Sequence, residues 1–357
     1  MKMLVTGGCG FIGSHIVDML IERGHDVWVI DNLSSGKLDY LNTKAKFYKM
    51  DITQSSINEI FEKIHFDMIF HEASMHNASN SEKDPTLDAN INIMGTLNIL
   101  NNMRKFNINK IIYASSTAVY GNVQQLPIKE SYQGKPASCY GLSKYFTEYY
   151  IRLYSHLYDI DYSILRYSNV YGERQNDSEE CNVISSFLYD FKLGRQPVIF
   201  GDGQQTRDFI YIKDVVSANF EAITKGARNI YNICTSTSAT INYLYNILRD
   251  IFMTSHESHE PYELYKPYKS YDLHQLHKLY EPLYNKGQKE DIKESSFDNT
   301  KAIQDLDWIP KYSLREGLEK MLFNMDGQVQ SDRQTQSREH ILSRSGYLQT
   351  LSRNVPI

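Results

Sequence analysis

The stretch "MKMLVTGGCGFIGSHIVDMLIERGHDVWVIDN", residues 1–32, decides how this chain is read. It opens on a short apolar segment, "MLVT" at 3–6, and passes through a glycine-rich turn. An amphipathic stretch follows from Phe11 to Arg23, and a second apolar segment, "VWVI", lies at 27–30. The pattern predicts strand, turn, helix, strand. Gly7, Gly10 and Gly13 let backbone turn tightly and approach a pyrophosphate with no Cβ in the way. The phosphates then sit at the positive N-terminus of the helix. Asp31 closes the second strand, 18 residues past Gly13, where an acid bonds the ribose hydroxyls of an adenosine. Asn32 follows it, with no arginine to receive a 2′-phosphate, so the expected cofactor is NAD rather than NADP. Phe11 and Ile12 lie between the glycines and belong to the same expected site. "MDIT" at 50–53 adds Asp51, near the place of an adenine amino group, with Ile52 beside it.

Outward from this stretch, further apolar runs follow: "KFYKM", "DMIFHEA", "NKIIYASS", "YSILRYSNVYG", "PVIFG" and "NIYNIC". Helix-like segments separate them. Strands that are apolar throughout, alternating with helices, imply a parallel sheet buried on both faces. The expected fold is α/β: a Rossmann-type doubly wound parallel sheet with a smaller α/β substrate-binding domain. After about residue 170 the alternation loosens and loops rich in Gly and Asp appear ("GERQNDSEE", "FGDGQQTRDF"). The expected division is therefore 1–170 for the dinucleotide domain and 171–325 for the second domain. Within the latter lies a Tyr/His-rich insert near 254–287. Residues 326–357 are polar and expected to be a mobile tail.

Composition narrows the function classes. Of 357 residues, 41% are hydrophobic, ordinary for a soluble globular chain, and no window reaches the ~18 apolar residues of a membrane helix. Met1 leads straight into a strand, with no signal-peptide pattern. Cys9, Cys139, Cys181 and Cys234 lie far apart with no CxxC pair, as expected of reduced thiols. The expected setting is cytoplasmic. A net charge of −5 gives no electrostatic reason to expect nucleic acid or an anionic membrane as partner. No metal site is expected; "HESH" and "HQLH" in the insert have metal-ligand spacing but suit a solvated surface better.

A second constellation lies in "SCYGLSKYFTEYY". Tyr140 and Lys144 stand four residues apart, on one face of a helix. An ammonium near a phenol favours the phenolate, as does a positive nicotinamide ring, so this tyrosine is a candidate base. Upstream, "IIYASSTAVYG" ends an apolar strand on Ser115, Ser116 and Thr117. Hydroxyls at a strand's C-terminal edge point into the ligand crevice of such sheets. Ser116 or Thr117 is placed to pass a proton between substrate and Tyr140.

TGGxGFIG, Asp31, "NIMGT" at 92–96, "ASSTAVYG", the Tyr-Lys pair, "LRYSNVYG" and "GDGQQTRDFIYIKDV" occur in one order. In that order the chain resembles the extended short-chain dehydrogenases, and most of all their nucleotide-sugar 4-epimerases. The resemblance covers about residues 1–250 and 288–324. It implies that Ser116, Tyr140 and Lys144 are the catalytic set. It implies that Asn92, Tyr140 and Lys144 also lie against the cofactor. Asn169 and Arg207 would hold the substrate's nucleotide diphosphate, and a fork of donors on Arg207 suits that role independently. The resemblance also implies a UDP-sugar substrate and a homodimer. Relatives that dehydrate the sugar carry an Asp-Glu pair where this chain has Thr117 and Ala118. Decarboxylating relatives carry Glu at the second of these, and uronate epimerases carry Thr at the place of Asn169. Simple 4-epimerisation of a UDP-hexose remains. The alternatives are a GDP- or dTDP-linked substrate and a non-catalytic binding protein; the intact Ser116, Tyr140 and Lys144 speak against the latter.

Three departures stand out. Where the family has an R-x-G-D stretch this chain has "QKED", with Gln288 at the Arg position. Counting from Asp291, the resemblance implies that Ser295 is the residue that closes the sugar pocket, small enough to admit a 2-acetamido group; a one-residue shift of the altered run would put Glu294 or Ser296 there instead. "FHEAS" puts Glu72 where relatives carry an apolar residue near the cofactor.

Overall fold

A computed structural model of the chain describes residues 1–75, 78–175, 182–257, 280–287 and 292–324. Its strands are β1 Lys2–Thr6, β2 Asp26–Asp31, β3 Lys46–Lys49, β4 Met68–His71, β5 Lys110–Ser116, β6 Asp161–Tyr167, β7 Asn169–Tyr171, β8 Val198–Phe200, β9 Thr206–Tyr211, β10 Asn229–Ile233, β11 Ser238–Thr240 and β12 Leu283–Asn285. Its helices are α1 Phe11–Glu22, α2 Asn58–Lys63, α3 Ala78–Lys83, α4 Pro85–Ala89, α5 Thr96–Phe106, α6 Cys139–Tyr158, α7 Val183–Leu193, α8 Ile212–Glu221, α9 Ile241–Glu257 and α10 Thr300–Leu306.

Seven strands form one sheet in the order β10-β6-β5-β4-β1-β2-β3. Every neighbouring pair in it is parallel. This is the doubly wound sheet expected from the apolar runs. Its central strands are apolar throughout because both faces are covered: Met3, Leu4 and Val5 of β1 and Ile111 and Ile112 of β5 are fully buried. The winding reverses beside β1, whose neighbours are β2 on one side and β4 on the other. At such a switch point the loops at the carboxyl ends of the strands part and leave a crevice.

The expected limit at residue 170 does not confine this sheet. β10, from residues 229–233, returns to pair with β6. A short apolar run carries no mark of which sheet it will join, so its partner was not legible. The remaining strands form a β11-β9-β7 sheet, antiparallel between β11 and β9 and parallel between β7 and β9, and a β12-β8 pair. Most of the 254–287 insert and the whole 326–357 tail lie outside the described residues. Among the described residues no helix is long and apolar enough to cross a membrane.

Candidate active site

The crevice beside β1 is a cavity of about 450 Å³. Its floor is the glycine turn. Gly7 has φ +70°, a conformation that L side chains avoid. A Cβ on Gly13 would stand 2.2 Å from the Gly7 carbonyl oxygen, so α1 packs against its own turn only if that residue is glycine. α1 begins at Gly10 with no side-chain cap, which leaves its first N–H groups for a ligand. Gly7, Gly10, Phe11, Ile12, Gly13, Asp31, Asn32, Asp51, Ile52, Tyr140 and Lys144 all line the cavity.

The acid end is held in place. Asp31 accepts hydrogen bonds from the backbone N–H groups of Cys9 at 3.0 Å and Leu33 at 2.8 Å. Asp51 accepts from Asn32 Nδ2 at 2.9 Å and from both the N–H and hydroxyl of Thr53. These bonds fix two carboxylates and an amide in one corner, the chemistry that suits a ribose and an adenine. Burial beside Asp31 pushes the Cys9 thiol up to about 12, so this cysteine is inert.

The opposite end is built by α6. Ser138 caps the helix through Gly141 N–H at 3.1 Å, and Tyr140 and Lys144 lie in its first two turns. Lys144 Nζ donates to the Ala114 carbonyl of β5 at 2.8 Å and lies 5.9 Å from the centre of the Tyr140 ring. Burial pushes Tyr140 up to about 12, partly countered by a hydrogen bond with Ser116. Burial likewise pushes Lys144 down to about 8. Of Ser116 and Thr117, the two hydroxyls expected to serve Tyr140, Ser116 is the one whose hydrogen bond steadies it. Ser115 donates instead to Glu148 Oε1 at 2.6 Å, within a buried Glu148–Arg166 pair that ties α6 to β5 and β6.

Asn92 is buried behind this wall. It lies in a π-helical turn, Asn90–Gly95, of the kind that often marks a functional site. Its side chain accepts from Met75 N–H at 2.8 Å and donates to Asp88 and to Ser143 Oγ at 2.9 Å each. It thus holds the wall residue Met75 against the turn of α6 that carries Lys144.

Two cavity residues were not found by sequence reasoning. Arg174 has φ +64° and pairs with Asp18 at 2.8 Å; Gln175 is beside it. Among the described residues, Arg174 Nη1 is buried with no hydrogen-bond partner. A buried donor left open in a cavity fits an acceptor-rich ligand such as a pyrophosphate. The glycine turn, the two acids and this open donor all fit a dinucleotide.

Asn169, Arg207 and Ser295 gather elsewhere, on the β7-β9-β11 sheet and its edge. β7 pairs with β9 so that Asn169 faces Phe209, two residues from Arg207. Arg207 Nη1 donates to the carbonyls of Thr206 at 2.8 Å and Ile292 at 2.6 Å. Ser295 is buried next to it, its N–H on Thr206 Oγ1 at 3.1 Å. The expected contact at Gln288, and the "QKED" run with it, lies outside the described residues. Among those described, no cluster of His, Cys, Asp or Glu is arranged to hold a metal ion.

Comparison with known proteins agrees with this geometry. Residues 3–234 match the family described as "NAD dependent epimerase/dehydratase family". A Methanocaldococcus jannaschii protein with a provisional UDP-glucose 4-epimerase name is 41% identical over 321 residues, 90% of this chain and 97% of that one. The crystal structure of Thermotoga maritima UDP-glucose 4-epimerase with UDP-glucose is 38% identical, with a TM-score of 0.83 over 92% of this chain and 100% of that one. The UDP-N-acetylglucosamine 4-epimerase of Methanobrevibacter ruminantium, solved with UDP-N-acetylmuramic acid, is 32% identical, with a TM-score of 0.80 over 92% and 98%.

Proposed function

The chain belongs to the NAD-dependent epimerase/dehydratase family, and from that premise we propose that it is an isomerase that inverts C4 of a UDP-hexose. One observation carries the reading: a single cavity holds the glycine turn and Asp31 at one end and Tyr140 with Lys144 at the other. NAD held there by the glycine turn and Asp31 would supply the hydride acceptor and donor for C4, so that the sugar would pass through a 4-keto form with no net change in the cofactor. Tyr140 takes the O4 proton and returns it, with Ser116 as the relay. Lys144 supports the phenolate. Arg207 and Asn169 hold the diphosphate while the sugar turns over. Thr117 and Ala118, in the turn after β5, offer no carboxyl for dehydration at C5 and C6.

The substrate pair proposed is UDP-glucose/UDP-galactose together with UDP-N-acetylglucosamine/UDP-N-acetylgalactosamine. A serine at 295 supports the wider range. NMR of products from each nucleotide sugar is the test, and both pairs are expected to interconvert. Ser295→Tyr should remove acetamido-sugar turnover by overpacking and spare UDP-galactose. A wild type that ignores the acetamido sugars, or a variant that treats both pairs alike, would remove Ser295 from the sugar pocket.

A homodimer is also proposed. α6 leaves Leu142, Phe146, Tyr149, Leu153 and Leu157 exposed, a stripe at helical spacing. Pairing with the same stripe of a second copy would bury it symmetrically. Light scattering should give the dimer mass at micromolar concentration; a monomer mass would contradict the pairing.

A further inference from the structure

Glu72 stands just past β4, in the wall of the cofactor cavity and at the end where Tyr140 and Lys144 lie. Its carboxyl accepts from the Tyr167 hydroxyl at 3.2 Å. Tyr167, itself a wall residue on β6, accepts in turn from Asn219 Nδ2 of α8 at 2.8 Å. The chain Asn219–Tyr167–Glu72 therefore holds the carboxyl from behind, within the cavity wall. The other groups facing it are Lys144 and Tyr140 from α6, with Asp88 further along. His71, next in the chain, is spent on Thr6 at 2.6 Å and Thr96 at 2.9 Å, and burial keeps it neutral with its pKa down at about 3.

We propose that Glu72 is a counter-charge for the nicotinamide, making the cavity hold the oxidised dinucleotide in preference to the reduced one. This rests on the reading above, in which the nicotinamide lies at the Tyr140 end. The physical need is specific. Only the oxidised ring is cationic, and Lys144 already places an ammonium beside it. A carboxylate in the same low-dielectric wall offsets that repulsion for the oxidised form and offers nothing to the neutral reduced form. An enzyme that must finish each cycle with oxidised cofactor gains by it, because a ring left reduced after loss of a keto sugar is a dead end. Burial supports the assignment: it pushes Glu72 up to about 7, a cost that a cation opposite would relieve.

The test compares equilibrium affinities for NAD+ and NADH, each titrated separately onto protein stripped of nucleotide. Glu72→Gln should lower the NAD+ to NADH preference by about tenfold, on the order of one partly shielded charge contact. Glu72→Leu should do the same, and guards against a fold that rejects a buried amide. In the wild type the preference should climb from pH 6 to pH 8 as the carboxyl ionises, and both variants should reduce that climb to the part that comes from Lys144 losing its proton. Loss of affinity for both forms alike would mark Glu72 as a mere tie between β4 and β6 and overturn the proposal, as would an unchanged ratio. A wild type that binds neither form would overturn the cofactor site itself.

Discussion

Tyr140→Phe is expected to lower epimerisation by ~100- to 10,000-fold while the protein still carries NAD, the range for a lost general base. The backbone that carries the ring is held independently of the hydroxyl: α6 is capped by Ser138, and the Tyr140 N–H donates to Ser81 Oγ at 3.0 Å. Removing the oxygen therefore leaves the wall standing. What goes is the group that Ser116 addresses. The sign of the pKa shift matters here. With the phenol pushed up to about 12 by burial, the protein alone keeps it protonated at neutral pH. In the proposed mechanism its conversion to a base would draw on Lys144 and on the positive charge of the oxidised ring, which would tie Tyr140 to a loaded cavity. Turnover of UDP-glucose is measured alongside nucleotide released on denaturation. A drop under about threefold would show that another group takes the O4 proton.

Gly13→Ala should strip the cofactor. The new Cβ would sit 2.2 Å from the Gly7 oxygen and 2.9 Å from its carbonyl carbon, both backbone atoms that cannot swing aside. Either α1 moves off the turn or the turn opens, and both spoil the phosphate cradle. Overpacking of this kind costs ~1–3 kcal/mol, so NAD affinity is expected to fall roughly tenfold to a hundredfold. Gly24→Ala is the control. Its φ of +79° strains the substitution, but nothing lies within 4 Å of the added atom, so stability alone should suffer. If Gly13→Ala copurifies with a full complement of nucleotide, the cradle is not where the glycines place it.

How far the site was legible depended on how local its physics is. The glycine turn, Asp31 and the Tyr140–Lys144 pair are set by spacing within one or two elements, so the sequence alone located them. Ser116 against Thr117 was not decidable by spacing, because the two stand side by side where the strand gives way to a turn and only the fold shows which hydroxyl meets Tyr140. Arg174 left no signal at all: it sits at positive φ in a loop with no period, and only the fold brings it to the cavity, paired with Asp18 of α1. Glu72 was visible as a departure, yet its partners Tyr167 and Asn219 are distant in sequence, and its meaning waited on them. β10 was found as a strand and misplaced among the domains, since sheet membership is a tertiary property.

The central claim is that C4 is oxidised and then reduced by one bound cofactor. UDP-glucose deuterated at C4, incubated with the protein and its bound NAD and no added reductant, tests it by NMR of the product. The expected result is UDP-galactose that retains the deuterium at C4. Label lost to solvent, or no epimer without an external reductant, would contradict the account.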